Sequence, residues 1–333
     1  MRLVIPMAGK GTRLRPHTHT TPKPLLPVAG KLMVERILEA FVGALPERID
    51  TIGFVLGDFG AEVSATLAEL CRRLGAEARF YRQESPEGTG HAVYMAAELL
   101  EGPVIVAFAD TLFELDRLFS LDAEALIWVK EVEDPRRFGV VLEEGGRIVG
   151  FVEKPSEPIS RKAIIGIYYF RQGARLRQAL ERLIRENRRG HGGELQLTDA
   201  LDDLIRQGLP FQTTTVSSWL DFGTVTDMLQ STFYVLERMG QDVHPSAVIE
   251  NSVLLGPVYV GPNVQIRNAV VGPFVSLEAG VCLEHSRIER TILNRHAYVA
   301  HSLLRESFIG QHACLVGLSG RFNIGDHSAA EGV

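Results

Sequence analysis

The chain has 333 residues, more than one ordinary domain needs, and 45% of them are hydrophobic, enough for sizeable cores. Its net charge of −6 argues against the basic footprint of a nucleic-acid binder, while small anions, which need only a few local cations, stay open as ligands. The three cysteines, Cys71, Cys282 and Cys314, fit neither a disulfide framework nor a CxxC metal site, and are expected as buried thiols in a reducing compartment. No apolar run approaches the roughly 18–20 residues that span a bilayer, and the opening MRLVIPMAGKG has no signal-peptide apolar stretch, so a cytoplasmic chain without membrane contact is expected.

Up to about residue 238, strand-like and helix-like stretches alternate. Apolar runs at 2–6, 51–56, 78–81 and 104–108 read as buried strands. The stretches 33–45 and 61–74 between them have helical spacing. That order predicts an α/β domain over 1–240, with a mixed, largely parallel sheet covered on both faces. Ligands on such sheets sit at the carboxyl ends of the strands.

After Gly240 the period changes to six. Val248, Leu254, Val260 and Ile266 form one aliphatic row, and Ser252, Val258, Val264 and Val270 a second. The phase slips, then resumes at Val271, Leu277 and Leu283 and again at Leu303, Ile309 and Leu315. A hexapeptide period is the signature of a parallel β-helix, expected over 241–333. Aliphatic rows inside each coil leave its faces free, so this tail is expected to mediate self-association into a homo-oligomer, with chemistry confined to roughly 1–238.

Candidate chemistry begins directly after the first strand. In Ala8-Gly9-Lys10-Gly11-Thr12-Arg13-Leu14, two glycines let backbone N–H groups approach phosphate oxygens, and Arg13 can hold phosphate bidentately. The third glycine of a dinucleotide fingerprint is missing, and no Gly-Lys-Ser/Thr completes a P-loop. In Pro22-Lys23-Pro24-Leu25-Leu26-Pro27, three prolines hold Lys23 on a stiff segment as a point charge. Asp110 closes the run VIVAFAD, where a buried carboxylate would need a cation such as Mg²⁺ to offset its desolvation. Asp221, in Asp-Phe-Gly-Thr, is either a second carboxylate of that kind or the start of the helix 225–239; the kinase motif it superficially matches has no catalytic loop to accompany it.

Together PMAGKGTRLRP and TTPKPLLPVAGK resemble the signature of the sugar-1-phosphate nucleotidyltransferases, among them glucose-1-phosphate thymidylyltransferases and UTP–sugar-1-phosphate uridylyltransferases. The resemblance continues in order along nearly the whole chain. Gln83 and Gly88-Thr89-Gly90-His91-Ala92 resemble the base-reading segment; with Ala8, Gly9, Gly11 and Thr12 they would bind the nucleotide. Asp110 and Asp221 resemble the family's magnesium ligands. Gly139 and Phe151-Val152-Glu153-Lys154-Pro155 resemble the sugar-phosphate segments, and the tail resembles the left-handed β-helix of longer members. The first loop departs from many members in having Ala8-Gly9 where they have two glycines, and Ala109 stands where many have glycine.

The resemblance implies an enzyme that joins a nucleoside triphosphate, dTTP or UTP favoured, to a sugar 1-phosphate, glucose 1-phosphate favoured, releasing pyrophosphate. Arg13, Lys23, Asp110, Lys154 and Asp221 would carry catalysis, and Gly139, Glu153 and Lys154 would hold the sugar phosphate. Three other readings remain open here. The chain could be a uridylyl- or guanylyltransferase acting on another hexose 1-phosphate, or a regulatory subunit of the same fold. It could also be a hexapeptide acyltransferase using His285, His296, His301 or His312 as a base.

Overall fold

The structure, a computed structural model, describes residues 1–114, 121–145 and 147–332. The chain divides into two compact units, Met1–Gly9 with Ile37–Trp219, and Lys10–Arg36 with Leu220–Val333.

The first unit is built on a nine-stranded sheet. Its main path runs Arg147–Glu153, Gly139–Glu144, Lys162–Phe170, Val104–Ala107, Arg2–Pro6, Thr51–Leu56 and Glu77–Arg82. The last four strands pair in parallel, Arg2 beside both Thr51 and Val104, and Thr51 beside Glu77. Lys162–Phe170 joins them antiparallel and also pairs with Ala125–Glu131, which Phe211–Thr215 extends. The sheet is mixed and largely parallel at its centre, as the alternating apolar runs predict. Val4, Val104, Val106 and Ile127 are fully buried, because these strands are covered on both faces.

Helices seal that core. Ala61–Leu74 buries Val63, Leu67, Leu70 and Cys71, which recur at helical spacing, and ends on Gly75 in the left-handed conformation. Gly173–Arg185 and Leu197–Arg206 present Leu176, Ala179, Leu180, Leu201 and Leu204 to the same cluster. The edge pair Arg147–Glu153 and Gly139–Glu144 has a register shift between Ile148 and Gly150. Asp202 on the facing helix accepts the Phe151 N–H at 2.9 Å beside that irregularity, satisfying a donor next to the break in the ladder.

In the second unit, Val225–Met239 is a helix over the expected residues. Its N-terminus is capped by Thr224, whose hydroxyl oxygen accepts the Asp227 N–H at 3.2 Å. From Gln241 on, the described chain is a left-handed parallel β-helix of three sheets. Register runs from Val248 through Gln265, Cys282, Tyr298 and Cys314 to Ala329. The coils are shorter than three full hexapeptides and shorten along the chain, which is why the six-residue phase slips.

That shortening corrects two rows. Val248 is exposed, and so is Ile249, the register partner of the fully buried Ile266, so the buried column starts at Ile266. Leu303 is 57% exposed while Leu304 is 1% exposed, so the last row is Leu304, Ile309 and Leu315. The histidines once open as acyl-transfer bases sit at coil corners with positive φ, where Asn251, Asn263 and Asn268 sit in earlier coils. They stack as ladders: His285 on His301 at 5.0 Å, and His296, His312 and His327 at 5.0 and 4.9 Å. Their recurrence is that of a corner position repeated once per coil.

Candidate active site

Site residues fall in both units. In the first, Met7 continues from the first strand, its N–H donating to Val55 at 2.9 Å, and hands the chain to Ala8 and the exposed Gly9. Gln83 follows strand Glu77–Arg82 and is buried. Its amide nitrogen donates to the Gly88 carbonyl at 3.2 Å and meets His91 Nδ1 at 3.0 Å. Gly88 has φ +125°, and a Cβ there would lie 2.5 Å from the Leu195 carbonyl, so only glycine fits. Thr89 opens the short helix Thr89–Met95, with His91 inside its first turn.

The partner of this turn is a segment that sequence reasoning passed over, Glu194-Leu195-Gln196-Leu197-Thr198-Asp199. Gly90 N–H donates to Leu195 at 2.8 Å, Thr89 Oγ1 donates to Gln196 Oε1 at 2.9 Å, and Leu197 N–H donates to Thr89 Oγ1 at 2.9 Å. Gln196 and Thr198, at the start of helix Leu197–Arg206, are both buried, and no local sequence pattern marks them.

Asp110 lies in the turn between strands Val104–Ala107 and Thr111–Glu114 and is exposed. The burial cost argued from sequence therefore does not apply: the strand ends at Ala107 and the carboxylate has already reached the surface. Glu153 faces Gly139 across the antiparallel pair, and a Cβ on Gly139 would be 2.9 Å from Glu153 Oε2. Burial pushes the Glu153 carboxyl above the usual range; Lys154 and His191 pull it back, while Asp199 and Glu194 push further. Lys154 Nζ is 3.8 Å from Glu153 Oε1, with its head exposed and its backbone at φ +45°. Its N–H donates to Phe138 at 3.1 Å, and Phe138 packs edge-on against Trp219 at 4.8 Å. Burial first, then the charges of Glu153 and Asp110, push up the hydroxyl of the buried Tyr168. The same burial raises Asp199 and Asp202.

In the second unit, Gly11 takes a left-handed conformation, φ +56°. Thr18 Oγ1 donates to the Gly11 carbonyl at 2.8 Å, and a Cβ on Gly11 would lie 3.2 Å from Lys23 Cβ. The turn thus packs Gly11, Thr18 and the buried Lys23 together, with Thr12 and Arg13 exposed. Asp221 accepts the Gly223 N–H at 2.8 Å. A Cβ on Gly223 would lie 3.0 Å from Asp221 Oδ1 and 3.3 Å from Arg13 Nη1, so the guanidinium and the carboxylate face one small space. Ser231 Oγ donates to the Asp221 carbonyl at 2.8 Å and fixes its backbone.

Among the described residues no three His, Cys, Asp or Glu side chains are grouped to hold a metal ion. Asp110 in the first unit and Asp221 in the second are each carboxylates, hard oxygen donors of the type that divalent cations take.

Residues 3–238 match the family described as nucleotidyl transferase. A glucose-1-phosphate thymidylyltransferase of Streptomyces griseus is 31% identical over 99% of both chains. The bifunctional protein GlmU of Methanocaldococcus jannaschii is 31% identical over 78% of this chain and 60% of its own. A crystal structure of UDP-glucose pyrophosphorylase complexed with UDP-glucose matches in fold with a TM-score of 0.57 and 22% identity, covering 71% of this chain and 98% of the other.

Proposed function

The chain belongs to the nucleotidyl transferase family, and on that premise we propose that it transfers a nucleotidyl group from dTTP or UTP to glucose 1-phosphate, releasing pyrophosphate. It is a sugar-1-phosphate nucleotidyltransferase, as its full-length relatives are named. The observation that carries the assignment to this site is the juxtaposition of Arg13 and Asp221 at Gly223, a cation for phosphate beside a carboxylate for a metal.

A phosphate oxygen of the sugar 1-phosphate attacks the α-phosphorus in line. A new P–O bond forms and the bond to the β-phosphate oxygen breaks, so no covalent enzyme intermediate is needed. Catalysis is then positioning and charge neutralisation. Arg13 and Lys23 neutralise the departing pyrophosphate, with Ala8, Gly9, Gly11 and Thr12 offering backbone N–H groups. Lys154 binds the attacking phosphate, and Glu153, with room left by Gly139, accepts hydrogen bonds from sugar hydroxyls. Asp110 and Asp221 would hold a divalent cation, for which Mg²⁺ is proposed; when bound it would supply positive charge to offset the negative charge that develops on phosphate oxygens.

Gln83 reads the base in a narrower way than its amide alone suggests. Its nitrogen is committed to Gly88 and His91. Its oxygen is therefore the group offered to the N3–H of uracil or thymine, with the backbone beside Gly88 and Thr89 close to the same ring.

The division into catalytic residues 1–240 and a β-helix 241–333, homo-oligomerisation through the tail and a cytoplasmic location belong to the same proposal. No helix among the described residues is long and apolar enough to cross a membrane. The test is a matrix of UTP, dTTP, GTP, ATP and CTP against glucose, mannose and N-acetylglucosamine 1-phosphates, read as pyrophosphate. Preference for a purine nucleotide would overturn the base assignment. No release from any pair would favour a regulatory subunit.

A further inference from the structure

The loop from Arg13 to Lys23 carries a candidate phosphate-binding cation at each end but little regular structure. Apart from 3₁₀ turns at Thr12–Leu14, His17–His19 and Lys23–Leu25, it has no helix or strand of its own. Such short turns have weak intrinsic stability, so packing must set the loop's shape.

The last two coils of the β-helix supply that packing. His17 is fully buried, its ring stacked on Phe308 with centroids 3.6 Å apart. Its Nε2 meets Asn323 Oδ1 at 2.8 Å, and Asn323 Nδ2 donates to the Arg15 carbonyl at 3.4 Å. Thr20 Oγ1 donates to Asp326 Oδ2. Asp326 is held in turn by Gln311, whose N–H and side-chain amide both donate to it, at 2.8 and 3.0 Å. Pro16 lies against Gly325, where a Cβ would come within 2.8 Å of the Pro16 Cβ. Arg15, Pro16, His17 and Thr20 are thus all seated on the tail, and all lie between Arg13 and Lys23.

A second anchor follows at the next turn. Gly30 N–H donates to Glu278 Oε1 at 3.1 Å, and the Tyr259 ring fills the space where a Cβ on Gly30 would be. Arg36 closes the turn from its other side, donating to the Val28 and Ala29 carbonyls at 2.8 Å each.

We propose that the end of the β-helix is a positioning element for the nucleotide's phosphates, with Asn323 and Asp326 as positioning residues that hold the Arg13–Lys23 loop in its binding shape. This rests on the reading of Arg13 and Lys23 as triphosphate ligands. It gives the tail a role in the reaction beyond the self-association expected from its repeat. His17 fits this seat as a neutral ring: its Nδ1 is buried without a partner among the described residues, so protonation would add a second buried donor with nothing to accept it.

The test uses the full chain carrying Asn323→Ala and Asp326→Ala, assayed by steady-state pyrophosphate release. Loss of these contacts should raise the KM for the nucleoside triphosphate about tenfold, with kcat and the KM for the sugar phosphate within about twofold of wild type. Asp326→Asn, whose amide oxygen can still accept from Thr20 and Gln311, should restore most of the nucleotide KM. A purely structural role would lower the active fraction and leave both KM values unchanged; that result overturns the proposal. Should the double variant not fold, Thr20→Val, altered on the exposed loop side, should still raise the nucleotide KM about threefold, and an unchanged KM would equally overturn it. Arg13→Ala in the same assay separates the two readings. If it leaves activity intact, the phosphate reading fails; if it abolishes activity while the tail variants behave as wild type, only the positioning role fails.

Discussion

Replacing Gly139 with alanine probes the sugar side of the site with one added methyl group. The new Cβ would lie 2.9 Å from Glu153 Oε2 and 3.4 Å from Ile164 Cδ1, and only the second is an ordinary contact. Glu153 must recede by about half an ångström, roughly the tolerance within which a binding group must be held. Its backbone is not the source of cost, because Gly139 is a strand residue outside the positive-φ set, where alanine is no less suited than glycine. The penalty should therefore appear in binding rather than folding. If Glu153 forms one charge-assisted hydrogen bond to the sugar, losing it should lower kcat/KM for the sugar phosphate by about tenfold to a hundredfold. The nucleotide KM and the melting temperature should stay close to wild type. Steady-state kinetics in each substrate, with a thermal melt, decide it. A variant with unchanged sugar-phosphate kinetics would remove Glu153 from the sugar site, and a large fall in melting temperature would show that Gly139 is there for packing.

Asp110→Asn and Asp221→Asn should each lower turnover by about two or more orders of magnitude at limiting Mg²⁺ while far-UV circular dichroism is unchanged, because the amide keeps the volume and loses the charge that a cation needs. Either variant turning over at the wild-type rate under those conditions would exclude that residue as a ligand. Glu278→Gln addresses the tail. Burial raises the Glu278 carboxyl above its usual range, against the Gly30 N–H and Ser276 hydroxyl that favour its charged form. A carboxyl whose folded pKa is raised favours folding most in acid, and that contribution is lost as the pH rises through the folded pKa. The melting temperature of Glu278→Gln relative to wild type should therefore increase from pH 5 to pH 8, and a difference that falls over that range would contradict the assigned cause.

Much of this fold could be read from the chain because its periods are local. Strands Arg2–Pro6 and Thr51–Leu56 are continuous apolar runs, helix Ala61–Leu74 keeps helical spacing throughout, and helix Val225–Met239 follows a capping Thr224. The tail was legible as a repeat but not in phase, because coils shorter than three hexapeptides move the inward position from Leu303 to Leu304. Site motifs stood out where glycine or proline marked a constrained turn, as at Gly11, Gly88 and Lys23. What could not be read were partners distant in sequence: Gln196 beneath Thr89, Asp202 at the edge-strand irregularity, and Asn323 beneath Arg15. None carries a local pattern, since each owes its place to the fold bringing a hydrogen-bond partner within reach. Asp110 shows the opposite error, a residue argued to be buried because the run before it is apolar, although the strand stops at Ala107.

In the proposed reaction the α-phosphate moves to the sugar phosphate and the outer two phosphates leave together. It is tested most directly with dTTP labelled at the α- or the γ-position, incubated with glucose 1-phosphate and Mg²⁺, and resolved chromatographically. The expected result is α-label in a nucleoside diphosphate sugar, γ-label in pyrophosphate, and no turnover without the sugar phosphate. Label released as inorganic phosphate from the γ-position, or α-label remaining in nucleotide alone, would contradict it.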